Sequence, residues 1–349
     1  MMAVLFFGIR SNSAASTQTE AQETARQQAA LVALETPPPV KPTAIPATTI
    51  QNTTQLKAQS TAAASPTGSS SRAARIGVFV ADSPSDPATA SWLNQEKSLG
   101  INTVFNYTAA DGTVDQVNAY LAHAQSLGIQ VIISLKDFYD QEGEDFVSDY
   151  SQYGSTNEQI ALGIVRQFAA NPAVWGFDIS DEQPEDSSGL DVWQPILATR
   201  YQQIKAITAK PVMEVLVGAT SPDAAARQSF LRALRGTTDH FALDYYPIPF
   251  QSITPIQDYA ADMVAAGDSN GWFVNQAFSW NANTDYAATA SALGFNPSAA
   301  RLPTSLEMTS MADLALNGGA RNILFYHFED IRNNAAQMFA LRSAIAAIR

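Results

Sequence analysis

WGFDISDEQP, residues 175–184, decides how the chain is read. A short apolar run ends there in two adjacent carboxylates, Asp181 and Glu182, and Pro184 then stops the strand. Paired carboxylates at a strand end belong either to solvent at a loop or to a site that uses ionisable oxygen. If the strand is one of eight in a parallel barrel, its C-terminal end is the face on which chemistry is normally built.

The surrounding sequence supplies the other seven strands. From Arg75 onward, short runs rich in Val, Ile and Phe alternate with longer amphipathic segments. The runs are IGVFV (76–80), NTVFNY (102–107), QVIISL (130–135), VWGFDI (174–179), PVMEVLV (211–217), HFALDYY (240–246), WFVNQAF (272–278) and NILFYHF (322–328). Helices are expected through Trp92 and Leu99 to a C-cap at Gly100, up to Gly128, and through Ile160, Ile164 and Phe168. Further helices are expected near 190–208, 222–234, 254–267 and 302–317, and from 333 to the end. Eight strand–helix units over residues 74–349 predict an α/β fold, a (β/α)8 TIM barrel. An open doubly wound sheet would carry a Gly-rich first turn, whereas VFVADSPSD (78–86) has no glycine.

Composition removes several function classes. The net charge is −13, with 20 Lys+Arg against 33 Asp+Glu and no basic run, which argues against nucleic acid. The chain has no cysteine, so disulfides, thiolate catalysis and Cys-ligated zinc are excluded. Its three histidines, His123, His240 and His327, show no metal-ligand spacing. No cofactor and no metal are called for, and a monomer is expected.

Residues 1–10 begin with the apolar MAVLFFGI (2–9), too short to span a bilayer. The run is either the remnant of a signal or anchor segment or a meaningless apolar terminus. Residues 11–73 are dominated by Ser, Thr, Ala, Gln and Pro, a composition expected to stay disordered as a linker. An apolar start, a Ser/Thr/Pro-rich stalk and a compact domain together suggest an exported, extracellular or cell-surface protein with no stable membrane span.

In a barrel, each strand end delivers side chains to one rim. The candidates are Asp82, Asn106, Tyr107, Lys136, Asp181, Glu182, Asp244, Tyr246, Gln276, Trp280, Tyr326, His327, Glu329 and Asp330. Aromatic faces stack on sugar rings, while amides and carboxylates hydrogen-bond hydroxyls, so a carbohydrate partner is expected. Tyr246 and Trp280 are the preferred stacking residues. No Gly-rich loop follows strands seven or eight to cradle phosphate.

At this point the chain resembles the (β/α)8 glycoside hydrolase superfamily. Many members end strand four in an Asn-Glu-Pro or Asp-Glu-Pro triplet whose glutamate is the general acid/base; here it reads Asp181-Glu182-Gln183-Pro184, with one residue inserted. The tail RLPTSLEMTSMADLALNGGARNILFYHFED (301–330) also looks like a segment recurring in this group, and the resemblance covers roughly residues 75 to 349. It implies a glycosidase with Glu182 as catalytic acid/base and Asp244 or Glu329 as base or nucleophile. Asp82, Asn106, Lys136, Asp181, Tyr246, Gln276, Trp280 and Tyr326 would then contact substrate. One departure matters: retaining enzymes of the main clan carry a nucleophilic glutamate on strand seven, where this chain has Gln276. A non-catalytic sugar-binding barrel is therefore the alternative.

Three further expectations can be stated. Burial among Trp175, Tyr246 and Tyr326 would suit Glu182 to acid duty. Glu214, inside an apolar strand, reads as a paired glutamate in the middle of the barrel or as one with a shifted pKa. Thr304 with Glu307 spells a helix capping box.

Overall fold

The computed structural model describes residues 72–140 and 147–349. The expectations for residues 1–10 and for nearly all of 11–73 fall outside them. Within the described residues eight parallel strands close into a barrel in sequence order: β1 (Arg75–Val80), β2 (Thr103–Asn106), β3 (Gln130–Ser134), β4 (Val174–Asp181), β5 (Val212–Val217), β6 (His240–Tyr245), β7 (Trp272–Gln276) and β8 (Asn322–Tyr326). β8 pairs back onto β1, with Ile323 opposite Ile76.

Helices of more than one turn cover the barrel: α1 (Thr89–Leu99), α2 (Val114–Ser126), α5 (Asn157–Phe168), α6 (Leu190–Lys205), α7 (Ala224–Ala233), α8 (Pro255–Ala265), α9 (Thr284–Ala292), α10 (Ser305–Gly318) and α11 (Ala335–Ile348). Two short helices, α3 (Lys136–Asp140) and α4 (Val147–Tyr150), lie between β3 and α5. Of the two glycine stops expected, Gly100 caps α1 and Gly128 (φ 68°) follows the end of α2. Gly100 (φ 95°) and Gly319 (φ 105°) end α1 and α10 in the left-handed conformation that glycine adopts without strain. Thr304 and Glu307 form the capping box of α10, reinforced by Arg301 at 2.6 Å from Glu307.

Side chains divide by the two-residue period of a strand. Phe79, Phe105, Ile132, Met213, Val215, Ala242, Trp272, Val274 and Leu324 fill the interior. Their strand neighbours, such as Val78, Val104, Ile133, Leu216, Leu243, Phe273 and Ile323, pack under the helices. This division rules out the mid-barrel reading of Glu214 and leaves the shifted pKa, which burial raises to about 8. Glu214 lies between the inward Met213 and Val215, so it faces the helix layer rather than the middle of the barrel. Both of its oxygens are buried.

Candidate active site at the mouth of the barrel

β4 departs from regular geometry where its carboxylates begin. Its ladder with β5 runs Phe177–Val212 and Asp178–Met213, then resumes at Asp181–Val215, a slip of one residue. In a regular strand Asp181 and Glu182 would point to opposite faces. The slip, together with φ 61° at Glu182, brings both carboxylates to the mouth. A left-handed, non-glycine residue is uncommon and stores strain of order 1–3 kcal/mol, a feature that clusters at functional sites.

Two linked groups result. Lys136, just past β3, places its Nζ 2.6 Å from Asp181 Oδ2 and 4.4 Å from the centre of the Tyr107 ring. The Tyr107 hydroxyl donates to the same oxygen at 3.1 Å. Burial opposes charge on Lys136, but the carboxylates of Asp181, Asp137 and Asp178 outweigh it and raise its pKa. Beside this pair Glu182 and Asp244, each about 2% exposed, are hydrogen-bonded side chain to side chain. Burial pushes Asp244 up. Hydrogen bonds from Glu182 and Tyr246 oppose the rise, and the charge of Asp181 adds to it. The net effect favours the protonated form of Asp244. Tyr107, Tyr246 and Tyr326 surround the cluster, each held well above its usual pKa by burial first. Nearby carboxylates add to this, Asp181 in all three cases.

Other predicted residues are placed differently. Gln276 is fully buried and binds backbone: its Oε1 accepts from Ile248 N at 2.7 Å and its Nε2 donates to the carbonyls of Ile248 and Phe278. Trp280 is also fully buried, packed on Phe278, with its indole N–H on the Tyr246 carbonyl. It therefore supports the Tyr246 wall rather than presenting a stacking face. Asn106 donates to the Asp82 carbonyl and the Tyr120 hydroxyl, outside the barrel interior. Trp175 packs edge-on against Trp272 and at a tilt against His240, at the start of β4. Seven residues of strand, about 20 Å, separate it from Glu182, so it contributes nothing to that carboxyl's burial.

Glu329 and Asp82 belong to a second cluster on the β8–β1 side. Glu329 accepts the Ala81 N–H at 2.8 Å, and Arg332 pairs with Asp82 at 2.6 Å. Asp82 is pushed up by burial, an effect Arg332 partly offsets and Glu329 strengthens. The fully buried Glu96 lies near both carboxylates. His327 sits 3.7 Å from Glu329 and 3.5 Å from Asp330. Among the described residues no group of His, Asp and Glu could hold a metal ion, and no helix is long and apolar enough to cross a membrane.

Asp178, which is not among the residues expected from the sequence, also belongs to the site. It is fully buried and accepts from Ser134 Oγ at 2.8 Å beneath the Lys136–Asp181 pair. Its spacing of four from Glu182, on the inward period of β4, was the available signal.

No protein-family model matches the chain, and comparison with curated proteins finds no match. Solved structures do match. An endo-1,4-β-mannanase from Rhizomucor miehei shares 11% identity at a TM-score of 0.51, over 78% of this chain and 94% of that one. A class V chitinase from Pseudomonas fluorescens Pf-5 shares 12% at 0.50, over 78% and 99%. The PgaB (BpsB) glycoside hydrolase domain from Bordetella bronchiseptica shares 14% at 0.50, over 78% and 98%. At such identities the likeness is one of fold alone.

Proposed function

We propose that the protein hydrolyses O-glycosidic bonds in an oligo- or polysaccharide, with Glu182 as general acid/base and Asp244 as its partner carboxylate. The observation that carries this reading is the hydrogen-bonded Glu182–Asp244 pair, buried at the C-terminal mouth beside the Lys136–Asp181 ion pair. Glu182 gives its proton to the leaving oxygen as the anomeric C–O bond breaks. Water supplies hydroxide to the anomeric carbon, and its remaining proton returns to the carboxylate pair. Tyr246 and Tyr326 line the walls, and Lys136 keeps Asp181 in place to accept from a sugar hydroxyl. Glu329 is the weaker second carboxylate, because Ala81 and Asp82 already engage it.

A second reading rests on one observation. A retaining site separates its carboxyls by about 5–5.5 Å and an inverting site by about 6.5–9.5 Å, whereas Glu182 and Asp244 are joined by a hydrogen bond. A barrel that only binds sugar would have no need to part them. Under the hydrolase reading, sugar hydroxyls entering between the two replace their mutual hydrogen bond. The test is reducing-sugar release by the 73–349 domain across polysaccharides and aryl glycosides, with Glu182→Gln alongside. Turnover lost in the variant supports hydrolysis. Binding retained by both proteins with no turnover supports the binding barrel. Export and a monomeric state are part of the proposal, to be tested by cell fractionation and light scattering.

A further inference from the structure

The slip in β4 that turns Asp181 and Glu182 to the mouth has a backbone consequence. The carbonyl of Ile179 lies inside it, between the last regular pair (Asp178–Met213) and the resumed one (Asp181–Val215). Such a group needs a donor from elsewhere, since an unpaired buried carbonyl costs about 1–3 kcal/mol. The donor comes from the helix layer. Arg200 of α6, only 7% exposed, donates from one terminal nitrogen to the Ile179 carbonyl at 3.0 Å. Its other terminal nitrogen donates to the Tyr139 carbonyl at 3.1 Å. Its guanidinium also lies 4.5 Å from the Tyr139 ring centre and 5.7 Å from that of Trp193.

The two acceptors carry the argument. Ile179 stands two residues before Asp181, and Tyr139 stands three after Lys136 within α3. A single rigid fork from the helix layer therefore grips both backbone segments that bear the Lys136–Asp181 ion pair. Burying a guanidinium there is expensive, and an apolar side chain would pack the helix to the barrel at no such cost. Lysine cannot reproduce the grip, because its ammonium is a single point with no planar pair of donors.

We infer that Arg200 is the positioning residue of the site: it holds the slipped turn of β4 and helix α3 at the separation that seats Lys136 on Asp181 and turns Glu182 toward Asp244. This rests on the hydrolase reading only for its kinetic arm. Arg200→Met and Arg200→Lys would be compared with Arg227→Met, a control from the same helix layer. Arg227 is equally buried and pairs with Asp262 at 2.7 Å, on elements that carry no site residue.

The arm independent of activity is NMR. The Lys136 ammonium signal and the carboxyl carbons of Glu182 and Asp244 are followed through a pH titration of each variant. In the parent and in Arg227→Met, the ammonium stays protected and the two carboxyls titrate as a pair. In Arg200→Met the ammonium signal is lost to exchange and the carboxyls titrate separately, with Arg200→Lys between. On a glycan that the parent cleaves, kcat falls about 100-fold in Arg200→Met with KM within threefold, the size expected for a misplacement of about 1 Å. Paired titration and a protected ammonium in both Arg200 variants would overturn the inference, as would equal losses in Arg200→Met and Arg227→Met. A parent that cleaves nothing sinks the hydrolase reading, while the NMR arm still decides the role of Arg200. If Arg200→Met does not fold, Arg200→Lys carries the test against Arg227→Lys.

Discussion

Replacing Glu214 by glutamine should flatten the pH dependence of stability by an amount that can be worked out. Glu214 faces the helix layer with both oxygens buried and without a hydrogen-bond partner. Burial pushes its pKa from the ordinary 4.5 up to about 8. Thr237 and the Arg200 charge offset only part of that, since the Thr237 hydroxyl already donates to the Leu234 carbonyl at 2.6 Å. The unfolded chain releases this proton above pH 4.5, whereas the folded protein holds it until about pH 8. Each pH unit between those values therefore costs the folded state about 1.4 kcal/mol, and the whole interval about 5 kcal/mol. Below pH 4.5 the penalty is absent, and above pH 8 it is constant. Glutamine has the same shape and no proton to hold, so any penalty for its buried amide is the same at every pH. Urea denaturation of both proteins between pH 5 and 7.5 should show stability moving in favour of Glu214→Gln by about 3 kcal/mol across that range. Parallel curves, with a constant difference at every pH, would refute the reasoning: Glu214 would then be ionised in the fold, with a partner that its surroundings do not reveal.

Other expectations follow from the same physics. Lys136→Met leaves Asp181 buried with Tyr107 as its remaining neighbour in that pair. It should lower stability by about 3–5 kcal/mol in urea melts, and adding Asp181→Asn should restore much of the loss. Glu96→Leu removes a fully buried carboxyl that has no hydrogen-bond partner and lies near Asp82 and Glu329. It should stabilise the protein by roughly 1–3 kcal/mol at pH 8 and by less at pH 5, readable as a shift in thermal midpoint. Thr304→Ala opens the capping box of α10 and should cost about 1 kcal/mol of stability, with little effect on any turnover.

Much of this architecture was legible in the chain because its signals act within a few residues. Runs of Val, Ile and Phe mark the strands, Gly100 and Gly128 stop helices through a backbone conformation, and Thr304 with Glu307 starts one through two hydrogen bonds. The carboxylates at the end of β4 were visible for the same reason. The helix α9 was not anticipated, since residues 281–301 offered no strong period, and α3 was hidden in a polar stretch.

What the tertiary structure alone decided was which way side chains face and what they meet. A strict two-residue period would set Asp181 and Glu182 on opposite sides, and nothing local announces the slip that unites them. Trp280 and Asn106 looked like surface ligands, but packing against Phe278 and a bond to Tyr120 turned them into supports. Glu329 found the Ala81 amide 248 positions away, a contact that exists only because β8 closes onto β1. Patterning determines whether a residue lies in a strand or a helix, since that balance is struck over a turn or two of backbone. Site geometry depends on barrel closure, which joins residues hundreds of positions apart at distances that no local preference encodes.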